Sequence, residues 1–449
     1  MNNRINIANG QGFWGDSIDA PIELINKGEI DYLTLDYLAE VTLSIMQKQK
    51  IQNPNYGYAK DFLKLAEKVI DKILKKNIKI ITNAGGVNPK ACRNELMKIA
   101  KNKCSKIKIG IIEGDDIISK IKYFRKKGVS FTNIDTGEKF EKIKDKLYSA
   151  NVYIDSFPIA EALDMGAQIV LAGRVSDPGL VLGPCIHEFR WNRNQYNMLA
   201  SGTLAGHIVE CGCQCSGGNY TKWKDIKDFI NIGYPIASIN KNGSFYIMKH
   251  ENTGGMINKT TVSEQILYEM GDPRKYISPD VCVDFTSFNI NDDKNNKVHI
   301  KNVSGFKPTD TYKVSMSYFG GYKTTGQLTI SGPDALEKAE LCANIVWGRL
   351  EKAGYTYSDK STEYLGVSSC HKKIQAIPKD INEVVLRLGV RDFDIDKVNR
   401  FGMEIAPLIT SGPPGVTGFA GGRPKAQEII DYWPALIPKD LIETSVNVL

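Results

Sequence analysis

The chain has 449 residues, of which 42% are hydrophobic and 24% charged, which is typical of a globular protein of two or three domains. It contains no apolar run of transmembrane length and opens without a signal peptide, so we expect a cytoplasmic protein that does not enter the membrane. The net charge of +7 is carried mostly by lysines that form no arginine-rich or aromatic-interleaved surface, so we expect no nucleic-acid partner.

The first predicted strand, Ile5–Ala8, runs into a glycine-rich turn. Gly10–Gly15 fits the G-x-G-x-x-G pattern, which lets the backbone approach a ligand and aims the next helix's N–H groups at it. Asp36, after the second strand, is placed to bind a ribose. Asp16 would repel a phosphate, however, and a capped turn without a ligand also explains the glycines. We predict that Gly12 and Asp16 contact a small molecule and leave open whether it is a nucleotide.

Short apolar runs alternate with amphipathic segments through the first half. Phe62–Ile70, for example, has apolar residues at helical spacing. This alternation predicts parallel βα units, arranged either as an open Rossmann-like sheet or as a barrel. The predicted strands are Ile5–Ala8, Tyr32–Leu35, Ile78–Thr82, Ile107–Ile112, Val152–Asp155 and Ile169–Ala172.

Polar residues follow each of these strands, at the carboxyl ends where parallel α/β folds carry their sites. Helix capping explains some of them. It does not readily explain Arg174 or the run that begins Asn83-Ala84-Gly85-Gly86. We predict a single cleft built from Asp36, Asn83, Asp155 and Arg174, with Asn88 and Asp177 as further substrate contacts.

The pattern changes near Asn219–Pro235. Asn242-Gly243 between two apolar segments predicts a β-hairpin, Thr261–Glu264 reads as a capping box, and a long amphipathic helix is predicted from Asp334 to Leu350. The predicted fold class is therefore α/β, with a parallel Rossmann-like βα domain over residues 1–230 and an α+β domain over residues 231–449.

The segment Leu199–Asn219 concentrates chemically active side chains. If it is helical, His207 shares a face with Glu210 and Cys211. A histidine held by a carboxylate works as a general acid or base near neutral pH, and Cys211 is either a nucleophile or a packed thiol. A hydrogen-bonded core histidine remains the alternative. We predict His207, Glu210, Asp36 and Asp155 as catalytic residues, and Asn219 as a substrate contact.

Three alternating cysteines, Cys211, Cys213 and Cys215, suggest a metal site. Zinc sites usually pair cysteines two residues apart and need a second pair, which this sequence lacks. The odd total of nine cysteines does not favour a disulfide framework. We predict no metal site and leave the cofactor open.

The segment Gly412–Pro424 is rich in glycine and proline and ends in Arg423. Its backbone N–H groups and the arginine fork suit a phosphate or carboxylate. The alternative is a rigid connector before a helix at Lys425–Ile430. We predict that Arg423 contacts the substrate, because long structureless loops in compact domains are usually functional.

Strings along nearly the whole chain share one resemblance. They are Gly10–Asp16, Thr34–Glu40, Asn83–Pro89, Gly173–Pro178, Ala200–His207, Glu210–Gly212, Ser216–Asn219, Glu264–Pro273 and Gly412–Pro424. In these strings the chain resembles the acyclic terpene utilisation family of AtuA type. The resemblance implies a part in the breakdown of citronellol-like terpenes through branched acyl-CoA esters and a biotin-dependent carboxylase, but it implies no particular reaction.

The resemblance also bears on partners. Some members of this family carry, or are encoded beside, a further small domain, so a separate small partner subunit is expected for a chain that stops at Leu449. We also expect a homo-oligomer. Cys213 and Cys215 depart from the family pattern.

Three functions remain open from the sequence. The first is an enzyme of branched or terpene-derived acyl-CoA catabolism, with hydratase or lyase acid–base chemistry on an acyl-CoA or carboxylate. The second is a nucleotide-dependent oxidoreductase that uses the opening glycine turn. The third is a non-catalytic binding subunit for a small protein or a biotin-dependent carboxylase. We favour the first.

Overall fold

The computed structural model describes residues 3–294, 296–367, 369–371, 374, 376–377, 380–418 and 421–449. The chain folds into two compact units, one formed by residues 1–317 and 432–449 and the other by residues 318–431. This division differs from the predicted one at residue 230, because the strands after that residue extend the sheet of the first unit. The fold is mixed α/β, which confirms the predicted class at that level.

The strands are numbered along the chain. They are β1 Arg4–Gln11, β2 Tyr32–Leu35, β3 Lys79–Thr82, β4 Ile109–Glu113, β5 Leu147–Val152, β6 Ile169–Leu171, β7 Pro235–Asn240, β8 Phe245–Lys249, β9 Tyr276–Ile277, β10 Cys282–Asp284, β11 Asn289–Asp293, β12 Lys297–Lys301, β13 Ser304–Phe306, β14 Thr311–Ser331, β15 Asp359–Leu365, β16 Glu383–Asp392, β17 Gln427–Pro438 and β18 Ser445–Val448.

The α-helices are numbered in the same way. They are α1 Ala20–Lys27, α2 Glu40–Gln52, α3 Lys60–Lys76, α4 Pro89–Asn102, α5 Ile121–Lys126, α6 Phe157–Asp164, α7 Gly179–Phe189, α8 Tyr196–Val209, α9 Lys259–Leu267, α10 Ala335–Lys352, α11 Ile395–Ile405 and α12 Leu408–Ser411.

The first unit is built on an open sheet with the strand order β11-β12-β8-β7-β1-β2-β3-β6-β4-β18. The central strands β1, β2, β3, β6 and β4 run parallel, and β7 and β18 add antiparallel strands beside β1 and β4. The sheet is therefore open rather than a barrel, while a Rossmann-like arrangement stays a prediction. The carboxyl ends of the parallel strands lie along one edge, where sites form in such sheets.

Helix α3 shows how the sequence pattern produces the core of this unit. Its buried side chains recur every three or four residues and face the parallel strands, namely Phe62, Leu65, Ala66, Val69, Ile70 and Ile73. Burial of each large apolar side chain contributes about 1.5–3 kcal/mol. The amphipathic spacing therefore places α3 against the sheet, as predicted.

The second unit has its own core. A sheet with the order β15-β16-β14-β17 packs its apolar residues against α10 and α11, including Leu328, Leu386, Val346 and Phe401. Long α10 confirms the helix predicted from Asp334. The division between the two units falls inside β14 and inside β17.

The structure confirms some of the other local predictions and corrects others. The hairpin at Asn242-Gly243 is confirmed by the antiparallel pair β7 and β8. The strand predicted at Val152–Asp155 is wrong, because β5 ends at Val152 and pairs with β14 rather than with the main sheet. The capping position is also different: Asn258 caps α9 by accepting the N–H groups of Thr260 and Thr261, each at 2.9 Å.

The helix predicted at Lys425–Ile430 is wrong. The chain there enters strand β17, which lies next to β14 in the sheet. Hydrogen bonds to a strand more than ninety residues away in sequence decide this conformation, and a local pattern does not contain that information.

Candidate functional site

A cleft of about 610 Å³ opens in the first unit beside the carboxyl ends of β1, β2 and β6. Five carboxyl side chains line it: Asp36, Glu40, Asp177, Glu210 and Glu269. Among the described residues, the cationic side chains that line the cleft are Arg174 and Lys313. Phe13, Trp14 and Leu38 give the cleft an apolar wall. The size is that of a small-molecule site, and the mixture of carboxyl groups and apolar wall suits proton chemistry on an apolar chain.

Asp36, directly after β2, is a buried carboxyl held by Asn83. The Asn83 amide donates to Asp36 Oδ1 at 2.7 Å, and the backbone N–H of Leu38 donates to the same oxygen at 3.0 Å. Asn83 is itself fixed, because its Oδ1 accepts the Tyr37 N–H at 2.7 Å. Burial, followed by the charge of Asp177, raises the pKa of Asp36 well above its ordinary value. Asp36 therefore keeps its proton to higher pH than an exposed aspartate.

Arg174, in the loop after β6, is a cation with only 2% of its surface exposed. Its guanidinium lies 2.7 Å from Asp177 Oδ1, donates to the Leu38 carbonyl and stands 4.0 Å from the centroid of the Tyr153 ring. Burial opposes this charge, but Asp177 and its neighbours outweigh burial and raise the pKa of Arg174 above its ordinary value. The backbone N–H of Arg174 donates to Asp115 Oδ2 at 2.8 Å, which fixes the loop.

His207 and Glu210, on the last turn of α8 and just after it, form a buried pair. His207 Nδ1 lies 3.1 Å from Glu210 Oε1, and Nε2 lies 3.2 Å from the Ile266 carbonyl oxygen. A carbonyl only accepts, so Nε2 carries a hydrogen and Nδ1 is left to share a proton with Glu210. The rings of Tyr276 and Phe285 lie 5.3 Å from the imidazole. Glu210 lines the cleft, whereas His207 stands behind it.

Burial sets the proton affinities of this pair. It raises the pKa of Glu210 to about 7, while the His207 hydrogen bond acts in the opposite direction. Burial lowers the pKa of His207, but the hydrogen bond and charge of Glu210 outweigh it, so that the pKa is raised overall. Glu210 is therefore divided between its acid and base forms near neutral pH, as a general acid–base catalyst requires. Its Oε2 is buried without a hydrogen-bond partner among the described residues.

The cleft also contains residues that the sequence analysis did not single out, among them Glu40, Tyr153 and Lys313. The Tyr153 hydroxyl donates to Glu40 Oε1 at 2.6 Å, and Lys313 Nζ lies 3.8 Å from the same oxygen. Burial would raise the pKa of Glu40, but the Tyr153 bond and the Arg174 charge lower it below its ordinary value. Glu40 lies in the Thr34–Glu40 string, which was a usable signal, whereas no pattern marked Tyr153 or Lys313.

The glycine turn is closed by its own carboxylate. Asp16 Oδ2 accepts the Gly12 N–H at 2.9 Å, and Asp16 Oδ1 accepts the Tyr234 hydroxyl at 2.5 Å. Strand β1 continues through Gln11, and α1 begins only at Ala20, so no long helix starts at the glycines. The amide that a phosphate would need is occupied by Asp16, which weighs against a nucleotide at this turn.

Asp155 does not line the cleft, although it was predicted there. Its Oδ2 accepts Arg193 at 2.9 Å and the Tyr312 hydroxyl at 2.8 Å. The reason is topological, because β5, which comes just before Asp155, pairs with β14 and not with the main sheet. Asp280 lies close by and accepts the Ser156 N–H at 2.9 Å. Asp36, Asn83 and Arg174 are thus brought together, and Asp155 belongs to a neighbouring buried cluster.

The remaining predicted contacts lie elsewhere. Asn88 caps α4 and donates to the carbonyls of Pro54 and Tyr56, each at 2.8 Å. Asn219 lines a separate cavity of about 280 Å³. Arg423 is exposed in the second unit, and residues 419 and 420 of its predicted loop lie outside the described residues.

The cysteines near the cleft are proton-bearing thiols. Burial, followed by the charge of Glu210, raises the pKa of Cys211 to about 12, and burial also raises the pKa of Cys215 above its ordinary value. The thiol of Cys211 is therefore a poor nucleophile near neutral pH. In the described part of the chain, no group of three or more His, Cys, Asp or Glu side chains is placed to hold a metal ion.

Comparison with protein families gives one match. The model described as "Acyclic terpene utilisation family protein AtuA" matches residues 5–448. Comparisons with curated proteins and with solved structures find no match. No helix in the described residues is both long enough and apolar enough to cross a membrane.

Proposed function

Because this chain belongs to the acyclic terpene utilisation family AtuA, which implies a part in acyclic terpene utilisation, we propose that it is an enzyme of branched acyl catabolism. Its chemistry is of the hydratase or lyase type, with proton transfer to and from an acyl-CoA or carboxylate substrate in the cleft. The apolar wall of Phe13, Trp14 and Leu38 suits a branched hydrocarbon chain.

One observation carries the proposal: the Glu210 carboxyl faces the cleft, burial raises its pKa to about 7, and its Oε1 lies 3.1 Å from Nδ1 of buried His207. In a dehydration, ionised Glu210 removes the proton from the carbon next to the acyl carbonyl. Protonated Asp36 gives its proton to the hydroxyl of the next carbon, which leaves as water while the double bond forms. Both carboxyls then return to their starting forms by exchange with water, and hydration is the reverse.

The acidic cleft also limits the substrate. Five carboxyl groups against two cations disfavour the phosphates of coenzyme A inside it. In this proposal only the acyl part of a thioester enters the cleft, and the phosphates stay outside. His207 acts through Glu210 and is a positioning residue.

The test is an absorbance assay for hydration or dehydration with branched unsaturated and hydroxylated acyl-CoA esters and the corresponding acids. Glu210→Gln and Asp36→Asn should each lower kcat by roughly 10²–10⁴-fold, the usual contribution of a general acid or base. Glu95→Gln on the outer face of α4 is the matched control and should leave kcat unchanged. Full activity of Glu210→Gln would refute the proposal that Glu210 is the general acid–base catalyst. Inertness with every substrate, together with co-purification of a partner protein, would favour the binding-subunit alternative.

A further inference from the structure

We propose that the cleft continues into a smaller chamber in which Lys313 binds a free carboxylate of the substrate. This inference rests on the proposed function, since it names the substrate class of the same site. The chamber measures about 210 Å³ and shares three lining residues with the cleft: Tyr153, Asp177 and Lys313. A substrate that occupies both spaces passes between these three side chains.

Contacts with its neighbours fix the position of Lys313 between the cleft and the chamber. Its backbone carbonyl accepts the Tyr153 N–H at 2.9 Å, which ties the start of β14 to the segment after β5. Its ammonium lies 4.9 Å from the centroid of the Tyr153 ring and 5.5 Å from that of the Tyr432 ring. Cation–π contacts of this kind orient an ammonium without neutralising its charge.

The charge of Lys313 is only weakly paired. Within the described residues, the one carboxylate oxygen recorded within 4 Å of it belongs to Glu40, at 3.8 Å, and this oxygen already accepts the Tyr153 hydroxyl at 2.6 Å. The Asp177 carboxylate, which also borders the chamber, is paired with Arg174 at 2.7 Å. Lys313 is thus the less tightly paired of the two cations on this path, and it is the one that meets an incoming anion.

The other walls of the chamber are neutral and carry hydroxyl groups. The hydroxyl of Thr309 donates to the backbone carbonyl of Thr311 at 3.1 Å, and the hydroxyl of Ser278 donates to that of Val281 at 2.8 Å. Ser176 also lines the chamber, and its hydroxyl and that of Thr311 have no recorded hydrogen bond within the described residues. One ammonium with two hydroxyl donors matches a carboxylate, whose two oxygens accept several hydrogen bonds.

This arrangement orients the substrate. A carboxylate in the chamber places the adjoining chain beside Asp177 and continues it into the cleft that holds Glu210 and Asp36. The inferred substrate class is therefore a branched acyl compound with a free carboxylate. A neutral amide of the same shape would form no ion pair with Lys313 and would bind more weakly.

The experiment compares citronellate with its primary amide as non-reacting probes of the full-length protein, by isothermal titration calorimetry. The wild type should bind the acid roughly tenfold or more tightly than the amide, the scale of one charge-assisted hydrogen bond. Lys313→Gln should abolish this preference, Lys313→Arg should keep most of it, and Lys122→Gln, an exposed control, should keep all of it. Melting temperatures establish that each variant is folded.

Two outcomes overturn the inference: equal affinity of the wild type for acid and amide, or an unchanged preference in folded Lys313→Gln. Glu210→Gln separates this test from that of the reaction. It should keep the carboxylate preference even though it loses turnover, so active Glu210→Gln refutes the acid–base proposal alone, while a Lys313→Gln variant that keeps the preference refutes the carboxylate site alone.

Discussion

A Cβ atom placed on Gly12 would lie 2.8 Å from the carbonyl carbon of Cys211. The same atom would come within 3.0 Å of the Glu210 carbonyl oxygen. The glycine at position 12 is thus required by the backbone turn that carries Glu210, rather than by a phosphate. The G-x-G-x-x-G motif therefore pointed to residues that line the cleft, but Gly12 is needed for a close approach of two backbone segments and not for phosphate binding.

We therefore expect Gly12→Ala to displace the turn at residues 210–212 and to misplace Glu210. Activity should fall by about a hundredfold, as for other small displacements of a catalytic group, and unfolding free energy should fall by about 1–3 kcal/mol. Gly348→Ala in α10 is the matched control, since a Cβ there meets nothing within 4 Å. It should stabilise by about 0.5–1 kcal/mol. Enzyme assays and urea unfolding measure both, and an active, stable Gly12→Ala would show that the turn tolerates the contact.

His207 should matter both for the fold and for the proton affinity of Glu210. It is 2% exposed and packs against the rings of Tyr276 and Phe285, so His207→Ala should lower the unfolding free energy by about 2–4 kcal/mol. His207→Gln keeps a donor for the Ile266 carbonyl and should fold. Protonated His207 lowers the pKa of Glu210. Loss of the imidazole should therefore raise the pKa of Glu210, and the limb of the kcat–pH profile on which Glu210 ionises should move to higher pH. An unchanged profile in folded His207→Gln would mean that the pair does not share a proton.

Asp280 should make stability depend on pH. Burial, followed by the charge of Asp155, raises the pKa of Asp280 from 3.8 to about 7. Since the folded value exceeds the unfolded one, the protonated carboxyl stabilises the fold fully below pH 3.8, and this contribution is lost as the pH rises through about 7. Unfolding free energy should therefore fall with rising pH in this window, by up to about 1.4 kcal/mol per pH unit for this one proton.

Urea unfolding at several pH values within the window tests this. Asp280→Asn should flatten the slope, because the amide does not titrate and still offers an oxygen to the Ser156 N–H. Asp310→Asn is the control, since the side chain of Asp310 is 90% exposed, and it should keep the wild-type slope. Identical slopes for all three proteins would show that Asp280 titrates at the same pH in the folded and unfolded chains.

Patterns that act over a few residues were readable from the sequence. Strand β2, helix α3, the hairpin at Asn242-Gly243 and long α10 appear where periodicity and turn chemistry placed them. The contact of His207 with Glu210 follows from a spacing of three residues on one helix turn. Such features depend on backbone geometry within a single element, so no distant contact is needed to define them.

Only the tertiary structure decided which of the polar strand ends meet. It joins Asp36 to Asn83, adds Glu40, Tyr153 and Lys313, and separates Asp155 by pairing β5 with β14. It also makes Gln427–Pro438 a strand, because a strand takes its hydrogen bonds from a neighbour that is distant in sequence. The cleft is assembled by contacts of this long-range kind, whose burial also sets the proton affinities of its carboxyl groups, and local sequence patterns encode neither.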